Sequence, residues 1–179
     1  MPTIFSHAIV AAAVGHAYPE QRLPARFWVW TAVCSMLPDA DVIGFPLGIR
    51  YADALGHRGL SHSFFFAAVV GIVVAALSGE QGRKRIWLAA YFAVITASHA
   101  LLDALTDGGL GVALFAPFSN ERYFFPWRPI EVSPIGPGFF SGRGMRVIMS
   151  ELRWLWIPSA LFVAALSLRR VRAGYEYKR

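Results

Sequence analysis

An all-α, polytopic membrane bundle of about five transmembrane helices follows from the composition of this 179-residue chain, the blocking of its apolar residues and the placement of its basic ones. Hydrophobic residues make up 56% and aromatics 15%, while charged residues are 16%, with a mean hydropathy of +0.47. A soluble domain carries about 25% charged residues, so the balance argues against a water-soluble globule and against disorder. The net charge is +6 and the pI near 10. Basic residues scattered through apolar sequence serve topology and lipid headgroups, and no nucleic-acid partner is expected. The single cysteine, Cys34, lies in an apolar segment and reads as a buried thiol.

Five apolar stretches, at about residues 3–18, 27–45, 62–79, 86–106 and 152–168, stand near the roughly 20 residues needed to cross the hydrocarbon core. The first has no basic segment before it and no small-residue cleavage pattern after it, which speaks against a cleaved signal peptide. Between spans one and two lie Arg22 and Arg26, between three and four Arg83, Lys84 and Arg85, and after five Arg169, Arg170, Arg172, Lys178 and Arg179. With five spans these clusters share one side, read as cytoplasmic together with the C-terminus. The N-terminus, residues 46–61 and the long segment 107–151 then lie outside, although Arg122, Arg128, Arg143 and Arg146 fall there too. Residues 110–142 hold five prolines and eight Phe, Tyr or Trp residues. That mixture forbids a regular helix yet is too aromatic for a free linker. We read an ordered interfacial cap over about 110–150, within one integral-membrane domain spanning 1–179.

Four of the five histidines and four of the five aspartates gather in short clusters: His7; Asp39 and Asp41 in Pro38-Asp39-Ala40-Asp41; His57 and His62 in His57-Arg58-Gly59-Leu60-Ser61-His62-Ser63; and His99, Asp103 and Asp107. Such groups are costly in membrane segments and need a reason. His99 and Asp103, four apart, share one face of a helix that Gly108 and Gly109 should end. As a pair they suit a common ion or a plain His–Asp hydrogen bond within a bundle. Asp39 and Asp41 sit on a proline bend suited to divalent cations, or to an ordinary polar turn. Ser61 is placed to cap span three. Convergence decides the weighting, because under the proposed topology all four clusters fall at the outer ends of their spans. A mixed His/Asp set fits zinc or a neighbouring transition metal better than calcium, and two ions are compatible with this many donors.

In this order the motifs resemble the YdjM-like family of inner-membrane proteins described as metal-dependent hydrolases. The likeness is carried by His7, Pro38-Asp39-Ala40-Asp41, the His57 to Ser63 string, His99-Ala100-Leu101-Leu102-Asp103 with Thr106-Asp107-Gly108-Gly109, and Pro117-Phe118-Ser119-Asn120. It covers about residues 1–130. The same order is distantly similar to zinc-dependent phospholipase C, an α-helical phosphodiesterase with clustered zinc ions. That similarity implies His7, Asp39, His57 or His62, His99 and Asp103 as metal ligands. No further His, and no His-x-x-x-Glu pair, follows Asp103, so one or two ions, zinc first and manganese or another transition metal next, are expected in place of three.

The expected function is metal-dependent hydrolysis of a lipid or lipid-linked phosphoester at the outer face of a bacterial inner membrane, among membrane lipids as partners. Asp41 or Asp107 is expected as general base or as partner of a ligating histidine. Arg58, Arg122 and Arg128 are expected to grip phosphate, although each also suits a headgroup or topology role. A non-catalytic metal-binding or regulatory membrane protein is the alternative. A metal-ion transporter fits less well, since transport needs ligands near the midplane and a polar route to both faces.

Overall fold

The computed structural model describes residues 1–20, 22–134 and 136–176. The chain is helical, with two isolated β-bridges, Thr106 to Ile130 and Val112 to Tyr123, and no strands among the described residues. Helix α1 runs Ile4–Gly15, α2 Ala25–Met36, α3 Phe64–Leu77 and α4 Gly82–Ala104. Helix α5, Gly142–Glu151, passes through a π-helical turn, Leu152–Trp156, into α6, Ile157–Glu176. The Ile157 N–H bonds to Leu152 O, five residues back. Pro158, which has no N–H to return to the preceding turn, follows at once.

Two helical segments are long and apolar enough to cross a membrane, Gly82–Ala104 and Gly142–Arg172, so five transmembrane helices are not clearly present. α1 has 12 residues and α3 14. At 1.5 Å per residue these reach about 18 and 21 Å, against a hydrocarbon core of about 30 Å. The expected span 27–45 fails for a further reason. Pro38 and Pro46 withhold two N–H groups, and the chain tightens after Met36 into a 3₁₀ segment, Leu37–Leu47. The cap region is irregular from Leu105 to Pro134, but helix resumes at Gly142, so its boundary lies earlier than 150. Ser63, not Ser61, caps α3, its Oγ accepting from Phe66 N at 3.0 Å. α4 stops at Ala104, before Gly108 and Gly109, and Thr106 Oγ1 donates to Asp103 O at 2.7 Å.

α3 is packed with small residues inside and large ones outside. Ala67, Gly71 and Ala75, spaced by four, are buried, while Phe65, Ile72 and Leu77 are exposed. A Cβ at Gly71 would overlap Ala89 O and sit 2.7 Å from Ala93 N, so α3 and α4 meet backbone to backbone. A stripe of small residues at this spacing is how helices approach in lipid, where burying large apolar chains brings no gain over the tails. Gly71→Val is accordingly expected to cost about 1–3 kcal/mol. A melting temperature equal to that of the wild type in detergent would contradict the close crossing.

Around this crossing lies the core of Ala11, Tyr18, Phe27, Cys34, Val70, Val74, Leu88, Phe92 and Ile95. Tyr18, Phe27 and Tyr91 form an aromatic cluster, with the Phe27 and Tyr91 ring centroids 4.8 Å apart. His7 stacks on His99, Ser35 O faces His99, and His62 meets His99, so the starts of α1 and α3 and the ends of α2 and α4 come together.

Candidate metal centre

His7 lies on the second turn of α1, Asp39 on the first turn of the 3₁₀ segment after α2, His62 in the single 3₁₀ turn Leu60–His62 before α3, and His99 and Asp103 on the last two turns of α4. The four-residue spacing on α4 puts the last two on one face, as expected. Asp39, His62, His99 and Asp103 each offer one ligand atom to a group spanning no more than 4.8 Å, a cluster able to hold a metal ion. All are buried, Asp39 the most exposed at 7%.

His99 Nε2 lies 3.1 Å from His62 Nε2 and 3.3 Å from Asp39 Oδ1; His62 Nε2 lies 3.6 Å from Asp39 Oδ1 and 3.5 Å from Asp103 Oδ2. Bonds of about 2.0–2.1 Å in a tetrahedron hold donors about 3.3 Å apart, so these separations fit one small ion. Both rings are turned to present Nε2. His99 Nδ1 pairs with Ser35 O at 2.7 Å, while His62 Nδ1 faces Ser61 Oγ at 3.0 Å and Asp41 Oδ2 at 3.2 Å. Nδ1 held by an acceptor is the arrangement of metal-ligating histidines.

Among the described residues, the buried side-chain nitrogens and oxygens without a hydrogen-bond partner belong to His7, Asp39, Arg58 and Asp103. Both carboxylates and both nitrogens of His7 are in that set. Native interiors rarely leave such atoms alone, and the two carboxylates meet the His62 and His99 Nε2 atoms where a cation would satisfy them. The His7 and His99 ring centroids are 3.6 Å apart at 13°, and His7 Nε2 is 3.6 Å from Asp103 Oδ1. His7 thus stands beside the four-residue group without belonging to it.

Asp41, His57 and His62 form a second group. Here the polar atoms answer one another: His57 Nδ1 meets Asp41 Oδ1 at 2.7 Å, and Asp41 Oδ2 accepts from Ser61 Oγ at 2.6 Å and Arg58 N at 3.2 Å. Asp41 therefore orients the two histidines as a carboxylate behind a ligand does, and the orphaned atoms favour one ion over two.

Of the three arginines expected to grip phosphate, Arg58 and Arg122 are engaged by the protein itself and Arg128 is exposed. Arg58 is fully buried, with Nη1 donating to Gly108 O at 2.9 Å, Nη2 to Thr106 Oγ1 at 3.0 Å, and Nε 3.0 Å from Asp103 Oδ2. Its guanidinium is committed to the protein. Arg122 binds the carbonyls of His57 and Tyr51 at 3.1 Å and Asp53 at 3.3 Å, fastening the loop that carries His57. Arg128 is exposed over the Phe124 ring, at 4.9 Å. Asp107 is exposed, its Oδ1 accepting from Val132 N at 2.8 Å, and it joins neither His/Asp group. Hydrogen bonds from Arg50 hold the Asp53 carboxyl below its ordinary value, a surface pair apart from the site.

Arg58 is the one non-glycine residue with positive φ among the described residues, at 63°. A Cβ at Gly59 would overlap Ala54 O, and one at Gly56 would overlap Arg50 O. The glycines flanking His57 and Arg58 thus permit the tight turn that points His57 at Asp41 and buries Arg58. One buried carboxylate escapes motif reading, Glu151, which binds Thr3 and Ser6 beside His7. The signal available in the sequence is a lone acid inside an otherwise apolar and basic stretch.

The chain matches a family model described as YdjM inner membrane protein over residues 1–175, well past the 130 residues that carry the motifs. Inner membrane protein YbcI of Escherichia coli (strain K12) is 38% identical over 174 residues, covering 95% of this chain and 99% of that protein. No solved structure matches the chain.

Proposed function

Because this chain belongs to the YdjM inner membrane protein family, we propose that its buried His/Asp centre serves a membrane-embedded, metal-dependent hydrolase acting on a phosphoester of a lipid or lipid-linked substrate at the outer face. The supporting observation is that unpartnered carboxylates of Asp39 and Asp103 meet the facing Nε2 atoms of His62 and His99, with His7 Nε2 beside Asp103 Oδ1. Mixed nitrogen and oxygen donors suit zinc first, then manganese or another transition metal. Bound there, such an ion would lower the pKa of a bound water toward about 7 and polarise a phosphoryl oxygen.

The protein's own groups do the rest. Asp41 holds His57 and His62 in register, with Ser61 Oγ donating to it, and is the carboxylate we assign to orienting the ligating histidine. Arg58 holds the Asp103 carboxylate in place. Exposed Arg128 is the guanidinium we assign to meeting a phosphate, while Arg122 shapes the loop behind His57.

A second reading, a non-catalytic metal centre, is favoured by closure, since structural sites carry four buried protein ligands and catalytic ones keep a position open. Elemental analysis of the purified protein, followed by assay of the metal-loaded form against phospholipids and lipid-linked phosphates, separates the two. Stoichiometric metal with turnover supports the hydrolase. Metal without turnover across the panel supports the second reading, and absence of metal removes both. Sidedness is tested with Ala52→Cys in a Cys34→Ser background, expected to react with an impermeant thiol reagent from outside; labelling from the cytoplasmic side alone would reverse the orientation.

A further inference from the structure

We infer that Glu151 is a positioning residue for His7, acting through Thr3 and Ser6 from the far end of the chain; this rests on the metal-centre reading above. Glu151 is fully buried at the end of α5. Its Oε1 accepts from Thr3 N, and its Oε2 from Thr3 Oγ1 at 2.6 Å and Ser6 Oγ at 2.7 Å. Trp156 Nε1 donates to the same Ser6 Oγ at 2.7 Å. Glu151, just before the π turn, and Trp156, its last residue, therefore grip the first turn of α1.

The π turn makes this double grip available. Residues five apart on an α-helix point about 140° away from each other, and an i→i+5 turn closes that angle, bringing Glu151 and Trp156 toward one helix. The N-cap of α1, Thr3, makes no side-chain cap hydrogen bond within its own helix and instead donates its hydroxyl proton to Glu151. The residue positioned is the neighbour of Ser6. His7 has no hydrogen-bond partner at either ring nitrogen, so its place beside Asp103 is set by where α1 begins and by stacking on His99. No other described carboxylate reaches Thr3 and Ser6.

The test is Zn²⁺ affinity of the full-length protein in nanodiscs, by competition with a chromogenic chelator, for wild type, Glu151→Ala, His7→Ala and the double variant. Glu151→Ala is expected to weaken Zn²⁺ binding about 10- to 100-fold, the range for groups that orient ligands. The double variant is expected to bind no more weakly than His7→Ala alone, since the effect travels through His7. Glu151→Gln, which keeps an acceptor for Thr3 N, should recover most of the affinity. Wild type that binds no Zn²⁺ would overturn the metal centre and this inference with it. Wild type that binds, with Glu151→Ala unchanged or equally damaging in the His7→Ala background, would overturn the positioning role alone. If Glu151→Ala does not fold, Ser6→Ala, which leaves Glu151 bonded to Thr3, is taken through the same cycle.

Discussion

Asp103→Asn is expected to lose stoichiometric metal, with affinity falling by at least about a hundredfold, beyond what loss of an orienting partner causes. Asp103 contributes both oxygens to the unpartnered set and faces His7, His62 and Arg58 at once, so no neighbour can take over its charge. Asp41→Asn should weaken binding about 10- to 100-fold, because Asp41 touches the site only through the Nδ1 faces of His57 and His62. Asp107→Ala should leave metal content unchanged, since that carboxylate is exposed and spent on Val132 N. Metal content by elemental analysis, with affinity by chelator competition, gives the order. Equal effects at Asp41 and Asp103 would mean that the second His/Asp group holds an ion of its own.

That ordering was beyond the sequence for a definite reason. The four-residue spacing of His99 and Asp103 fixes their common face whatever surrounds them, and the bend at Pro38 places Asp39 wherever α2 ends. Those local rules suffice to assemble the donors. Deciding between Asp39 and Asp41 needs the partners of each. Asp41 finds Ser61, His57 and the Arg58 amide, whereas Asp39 has no hydrogen-bond partner, and both follow from how the 57–63 turn closes on itself. That closure depends on a left-handed Arg58 between two glycines in contact with carbonyls, a conformation no propensity announces for arginine. The same limit governs the helix count. Hydropathy marks residues 27–45 as apolar without registering that Pro38 and Pro46 hold the chain from Leu37 onward in 3₁₀ structure, and it leaves Glu151 just outside the fifth apolar stretch.

Arg58→Met is expected to destabilise the metal-free protein by about 3–5 kcal/mol, the scale for stripping one partner from a buried ion pair. The guanidinium carries three separate duties: it faces Asp103 Oδ2 with Nε and satisfies Gly108 O and Thr106 Oγ1 with its other nitrogens. Methionine fills the volume but leaves a buried carboxylate uncompensated. Lysine would keep the charge, yet a single ammonium cannot span three acceptors arranged as a fork, so Arg58→Lys should recover only part of the loss. Glycine would relieve a left-handed backbone worth about 1–3 kcal/mol and still end below wild type, because the charge term is larger. The separation of charge from packing lies in the double variant. Arg58→Met with Asp103→Asn removes both members of the pair and should be more stable than Arg58→Met alone, a coupling that additivity would not produce. Thermal unfolding with chelator present measures the four variants and the wild type under one condition. Added Zn²⁺ should narrow the gap between Arg58→Met and wild type, since a bound cation supplies the positive charge that Asp103 has lost. If Arg58→Met melts with the wild type in chelator, the buried pair is not what holds the end of α4 against the 57–63 turn.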